Sequence, residues 1–229
     1  MSFQAAVFWR DLVSFNFAQA AFVTLWVTVL AMLLGMAGGL ALAMLQRSRW
    51  APLRWFAWLY LCIFRGTPAL LQIIFAFNVL PGFGLILSGP VCAVLALGLH
   101  EAAYMSEIVR AGLGGVADGQ RDAARALGMP EWRVMRLVVL PQALRLMVPP
   151  IGNQFIGLMK LSSLISVIGV RELLLAAEQS ASGSFRYLEA LSAAGIYYLV
   201  FTAALMGGQQ LLERALARPD RGETSRQKG

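Results

Sequence analysis

Charge is scarce in this chain. Asp, Glu, Lys and Arg make up 14% of its 229 residues, 59% are hydrophobic, and the mean hydropathy is +0.67. A soluble domain carries about a quarter charged residues, so a water-soluble globule is excluded and one membrane domain accounts for the composition. Histidine is scarcer still, with one residue, and cysteine has two. Cys62 and Cys92 both lie inside hydrophobic segments, where free cysteine behaves as a small apolar residue. No Cys/His cluster has metal-ligand spacing, so no metal site is expected. The chain also lacks a nucleophile–base–orienter set, paired carboxylates and a G-x-x-x-x-G-K-[ST] phosphate loop. No enzyme and no cofactor are expected, and if ATP drives this protein another chain binds it. Residues 1–20 lack a basic start and a clean apolar core, so no cleavable signal peptide is expected.

What is present is greasy and basic. The formal charge is +7 and the pI about 10.1. The basic residues do not form a reading face for nucleic acid; they lie in loops between apolar runs, as the positive-inside bias requires. The runs read as spans at roughly 20–45, 55–80, 85–109, 151–170 and 188–212. The basic loops are 46–54, 110–148 and 213–229. The expectation is an all-α integral membrane protein with five transmembrane helices, N-terminus outside and C-terminus inside. A re-entrant 55–64 would leave that orientation unchanged. Residues 1–19 form an amphipathic interfacial segment, 20–213 the membrane domain with a cytoplasmic loop at 111–148, and 214–229 a basic cytoplasmic tail. Ala31, Gly35, Gly39 and Ala43 recur every four residues along the first span, and such a stripe admits a second helix closely. Arg65-Gly66-Thr67-Pro68 should break or kink the second span.

Polar residues at membrane depth are costly and point to function by default. His100 and Glu101 fall in the inner half of the third span. Lys160 falls near the middle of the fourth, with Asn153 and Gln154 before it and Ser162, Ser163 and Ser166 after it. Two readings of Glu101 and Lys160 stand side by side. They form a buried ion pair that fixes helix packing, or they line a path for a zwitterion, cation to carboxylate and anion to ammonium. For His100 a hydrogen-bonded core imidazole competes with contact to a ligand. The serines could equally bond back to their own helix carbonyls.

The longest polar interruption is Asp118–Pro141, DGQRDAARALGMPEWRVMRLVVLP. It reads as two short helices around a sharp corner. Asp118 is placed to cap the first helix, and Ala123, Ala124, Ala126 and Leu127 favour it. Gly128 stops it, because glycine takes the left-handed conformation without a Cβ penalty. Pro130 suits the first turn of the next helix, and Pro141 closes it. Met129 is a poor cap, so the corner is expected to depend on partners. Asp122, Arg121 and Arg125 surround a smooth Ala123–Ala124 face, and Leu127 forms an apolar tip. A solvated hairpin and a docking surface both fit this composition.

The spacing of that stretch carries a resemblance. Asp122-Ala123-Ala124, then Gly128, then Val138-x-Leu140-Pro141 resembles the EAA loop of ABC-transporter permeases, with Asp for Glu and Val for Ile. Other blocks agree. Arg65-Gly66-Thr67-Pro68-Ala69-Leu70-Leu71-Gln72 is similar to the RGTPLLVQ block of polar amino-acid ABC importers. Ala103-Tyr104-Met105-Ser106-Glu107-Ile108-Val109-Arg110-Ala111-Gly112 resembles their AYxAEIxRGG block. Leu140-Pro141-Gln142-Ala143, Pro149-Pro150, Asn153-Gln154-Phe155 and Ser166-Val167-Ile168-Gly169-Val170 continue the match over roughly residues 20–213.

The resemblance, to permeases of the histidine/glutamine/glutamate/arginine type, implies a type I ABC importer fold in the bacterial inner membrane. It implies a second permease subunit, identical or paralogous, two ATP-binding subunits, and a periplasmic solute-binding protein. The cargo would be a polar amino acid or a zwitterion of the opine or ectoine type. Asp122, Ala123, Ala124, Arg125, Leu127 and Gly128 would dock on the ATPase. His100, Glu101, Gln154, Lys160, Ser162 and Ser163 are the candidates for the solute path, and Arg65, Gly66, Thr67 and Pro68 a structural motif. One departure matters. Many relatives have LLKDTSL where this chain has Leu158-Met159-Lys160-Leu161-Ser162-Ser163-Leu164, so an aspartate is replaced by Leu161. This departure favours a paralogue as the second permease subunit. Two rivals of other classes remain. A membrane enzyme would need a buried nucleophile or metal, and a passive channel has no use for a docking hairpin.

Overall fold

The computed structural model describes residues 3–216, and within them every regular element is helical. In order these are α1 (Ala5–Leu12), α2 (Phe15–Gln46), α3 (Ala51–Gly66), α4 (Ala69–Asn78), α5 (Gly89–Gly114) and α6 (Asp118–Ala126). Then comes α7 (Glu131–Arg133), which runs through a π-helical segment, Val134–Val139, into α8 (Leu140–Leu161) and a 3-10 stretch, Ser162–Ile168. Last are α9 (Leu173–Ser184) and α10 (Tyr187–Leu216). The expected basic tail lies, from residue 217 on, outside the described residues.

Among the described residues four helices are long and apolar enough to cross a membrane: α2, α5, the rod Glu131–Ile168 and α10. The fifth expected span is broken. Helices α3 and α4 meet at 103°. Pro68 has no N–H to donate and bars its predecessor from helical geometry. Thr67 is accordingly extended, at φ −119° and ψ 148°.

The core forms where α2 crosses α5. Ala31, Gly35, Gly39 and Ala43 are all buried, as the stripe predicts, and close approach replaces the missing side-chain volume. Val27, Ile73, Leu97, Met105, Leu158 and Ile165 fill the space between α2, α4, α5 and α8. Leu33, Phe75, Leu144 and Leu199 point outward from the bundle, a surface fit for lipid or a second subunit.

Helix α1 does not lie free. Gln4 donates its backbone N–H to Glu189, Tyr197 donates its hydroxyl to the Leu12 carbonyl, and Ser180 donates to Asp11. The lead-in is therefore clamped to α9 and α10.

Three proline expectations are corrected. Pro141 does not close a helix and Pro149-Pro150 do not end a loop; all three lie within α8. Pro130 is not inside a first turn but is the N-cap of α7. Membrane helices tolerate proline where local π or 3-10 adjustment and neighbouring groups re-satisfy the freed carbonyls. Here the π segment directly precedes Pro141. The fourth span is thus not a 20-residue helix but the end of a 38-residue rod.

Candidate functional site

The hairpin is built locally. Gly128 has φ +75°. Its N–H reaches the Arg125 carbonyl at 2.9 Å, and the Met129 N–H reaches the Ala124 carbonyl at 3.2 Å. These two bonds make a Schellman corner. Met129 also packs with buried Ala124 on Val116, Val134 and Val139. The corner is thus closed by bonds and packing within the chain itself. Asp118 is not the cap: Ala117 is, without a side-chain bond. Asp118 sits one residue inside, where its charge still favours the helix start.

The two alanines do not share a face. Ala124 is buried and Ala123 exposed, because successive helical residues point about 100° apart. What projects is Leu127, 82% exposed, with Ala123 and Asp122. Arg125 braces the corner, donating to Asp122 at 3.2 Å and Glu131 at 2.7 Å. Being bonded to both carboxylates pushes its guanidinium above the usual value. Arg121 donates to the Leu113 carbonyl in the last turn of α5. From Glu131 the rod runs without a break to Gln154, ~35 Å at helical rise.

Inside the membrane, α5 presents polar groups on two faces. His100, Tyr104 and Glu107 stand on the face toward the elbow, at i, i+4 and i+7. His100 Nδ1 lies 3.0 Å from Gln72 Oε1, and its ring centroid 5.0 Å from that of Tyr104. Arg65 sits 5.8 Å from the Tyr104 ring centroid and 3.6 Å from Glu107. Arg110 holds Glu107 from the other side at 2.7 Å. So α5 grips the elbow at both arms, before and after Thr67-Pro68. A cavity of about 550 Å³ opens there, lined by Trp58, Leu61, Cys62, Arg65, Gly66 and Tyr104.

Glu101 faces another side, about a quarter-turn round the helix. It is 1% exposed, accepts from Gln154 Nε2 at 3.2 Å, and leaves Oε1 without a partner. The ion pair with Lys160 is not formed. Lys160 is exposed and makes no ion pair among the described residues. Ser162 and Ser163 donate to the Met159 and Lys160 carbonyls at 2.7 and 2.9 Å, as the back-bonding alternative has it. The structure therefore joins His100 to the Arg65–Pro68 motif and Glu101 to Gln154, and leaves Lys160 apart from both. Gln72, Tyr104 and Glu107 were not singled out from the sequence. The i, i+4, i+7 spacing from His100 was the available signal for the latter two.

This arrangement can be set beside known proteins. The family described as "binding-protein-dependent transport system inner membrane component" matches residues 35–218. The chain belongs to this family. The permease is 37% identical over 206 residues to the probable amino-acid permease protein YxeN of Bacillus subtilis (strain 168), covering 89% of this chain and 92% of that one. It is 37% identical over 204 residues to the glutamine transport system permease protein GlnP of Escherichia coli (strain K12), covering 86% and 91%. The crystal structure of an amino acid ABC transporter with histidines superposes with a TM-score of 0.86 at 34% identity, over 94% of this chain and all of that one. The inward-facing MetNI methionine ABC transporter superposes at 0.75 with 19% identity, which speaks for the fold alone.

The permease thus has the type I ABC importer fold and is a multi-pass inner-membrane component. It works with ATP-binding subunits and a solute-binding protein, and ATP hydrolysis belongs to the separate subunit.

Proposed function

We propose that this permease carries a polar amino acid from periplasm to cytoplasm, with its N-terminus outside and C-terminus inside. The observation that carries the reading is agreement among relatives. The YxeN, GlnP and arginine-system ArtQ proteins are all named as permeases for amino acids, each at 37% identity over most of both chains. The orientation rests on the basic loops at 46–54 and 110–148 and the positive-inside bias.

The Asp118–Pro141 hairpin docks on the ATP-binding subunit through Leu127, Ala123 and Asp122. Movement of that subunit travels up the 38-residue rod and shifts Gln154 against Glu101. The elbow cavity and the His100 face line the solute path. Two permease subunits enclose it, and the partner is a paralogue. The departure at Leu161 supports a paralogue, since this chain lacks the family's aspartate there. So does the position of Glu101, which is sealed between α2, α5 and α8 and poorly placed to replace that aspartate.

Uptake of labelled amino acids into proteoliposomes containing the whole complex tests this. Saturable, ATP-dependent uptake of one polar amino acid is expected. Uptake that only an opine or ectoine-type solute inhibits would move the cargo to that class. A homodimer competent for transport would contradict the paralogue.

A further inference from the structure

Gln72, in the first turn of α4, ties the elbow together. Its carboxamide nitrogen lies 3.0 Å from the Phe64 carbonyl, 3.1 Å from the Thr67 carbonyl and 2.9 Å from Thr67 Oγ1. The two carbonyls can only accept. The Thr67 hydroxyl donates its proton to the Ile63 carbonyl at 2.7 Å, so toward Gln72 it is an acceptor too. Reversing the amide would set its oxygen against three other oxygens. The nitrogen is therefore fixed on the elbow, and Oε1 is the atom that meets His100 Nδ1 at 3.0 Å.

A carbonyl oxygen cannot donate, so Nδ1 carries the proton of that bond. Neutral His100 is then the Nδ1–H tautomer, and its Nε2 keeps a free lone pair. A histidine without such a partner leans the other way. The buried side-chain atoms left without partners among the described residues are Glu101 Oε1 and Arg121 Nε. His100 Nε2 is not one of them, and no described group bonds it. Nε2 is thus not sealed inside the protein, in a residue that is 8% exposed.

We propose that Gln72 is a positioning residue that holds the chain's single histidine as Nδ1–H and presents Nε2, as an acceptor, to a donor group of the solute, its ammonium foremost. The role of His100 rests on the amino-acid reading above; the tautomer does not.

Both parts are tested in the whole complex in lipid. ¹⁵N-histidine labelling, with the spectrum of a His100→Asn complex subtracted, isolates the His100 ring at a pH where it is neutral. The expected signal is a protonated Nδ1 and bare Nε2, shifting toward Nε2–H in Gln72→Leu. A wild-type Nε2–H signal overturns the proposal. The isosteres separate positioning from mere packing. His100→Asn keeps a donor where Nδ1 stood, and His100→Gln keeps a polar atom where Nε2 stood. Solute KM is expected to rise about tenfold in His100→Asn, the scale of one hydrogen bond to a charged group, and to stay near wild type in His100→Gln. The reverse order, or no change in either, overturns it. If no amino acid is carried by the wild type, the proposed function fails while the tautomer result still stands.

Discussion

Gly35 of α2 lies so close under Glu101 of α5 that a Cβ at position 35 would stand 2.7 Å from both Cβ and Cγ of Glu101. Neither atom can give way freely, because the Cβ is fixed to the α5 backbone. Gly35→Ala should force α2 and α5 apart at a cost of ~1–3 kcal/mol and lower the midpoint of thermal unfolding. Gly207→Ala is the control, since nothing stands within 4 Å of that position. Equal midpoints for the two variants would mean that the α2–α5 contact is looser than described.

Glu101 itself carries a cost. It is buried with one oxygen unpartnered, and an uncompensated buried carboxylate is destabilising. An amide keeps the bond to Gln154 and exchanges the orphan oxygen for a cheaper orphan N–H. Glu101→Gln should therefore raise thermal stability while the contact between the rod and α5 is kept. A drop in the unfolding midpoint would show that the carboxylate has a stabilising partner.

At the hairpin, tip and corner should separate. Leu127 is 82% exposed, so Leu127→Asp should leave the permease's own stability unchanged and reduce co-purification of the ATP-binding subunit. Gly128 has φ +75°, which proline cannot adopt. Gly128→Pro should break the corner and abolish solute-stimulated ATP hydrolysis with the spans intact. Normal stimulation in both variants would remove the hairpin from the coupling route.

These positions also show what the sequence makes legible. The spans, the break at Pro68 and the corner at Gly128 follow from hydropathy and from backbone rules confined to a few residues. Pro141 is absorbed by the π segment before it, and Pro149 and Pro150 stand inside α8; a membrane helix tolerates proline according to its neighbours, which sequence does not show. Ala123 and Ala124 looked alike until packing chose one face. The contacts of the site are long-range. Gln72 meets His100 and Gln154 meets Glu101 across 28 and 53 residues, and no local pattern encodes such pairs. Lys160 was placed by depth alone, and depth does not say which side of a helix a residue occupies.

At the start of α9, Glu172 offers a pH test. Its carboxylate caps α9, accepting from Leu174 and Leu175 at 2.8 and 2.9 Å, and takes the Tyr198 hydroxyl at 3.0 Å. Burial outweighs these bonds and pushes its carboxyl above the usual range. The folded state thus binds this proton more tightly than the unfolded chain. That contribution is fully present below the ordinary carboxylate pKa and is lost as pH rises through the raised one. Unfolding midpoints of the complex should fall over that window, and Glu172→Gln should flatten the slope. An unchanged slope would place the titration elsewhere.

In the function proposed above, this permease couples a polar amino acid to ATP through the Asp118–Pro141 hairpin. The direct test is ATP hydrolysis by the complete complex in lipid, with its binding protein, across a panel of amino acids. The account predicts that one polar amino acid stimulates hydrolysis and that Gly128→Pro abolishes the stimulation. An intact complex whose hydrolysis no amino acid in the panel changes would contradict it.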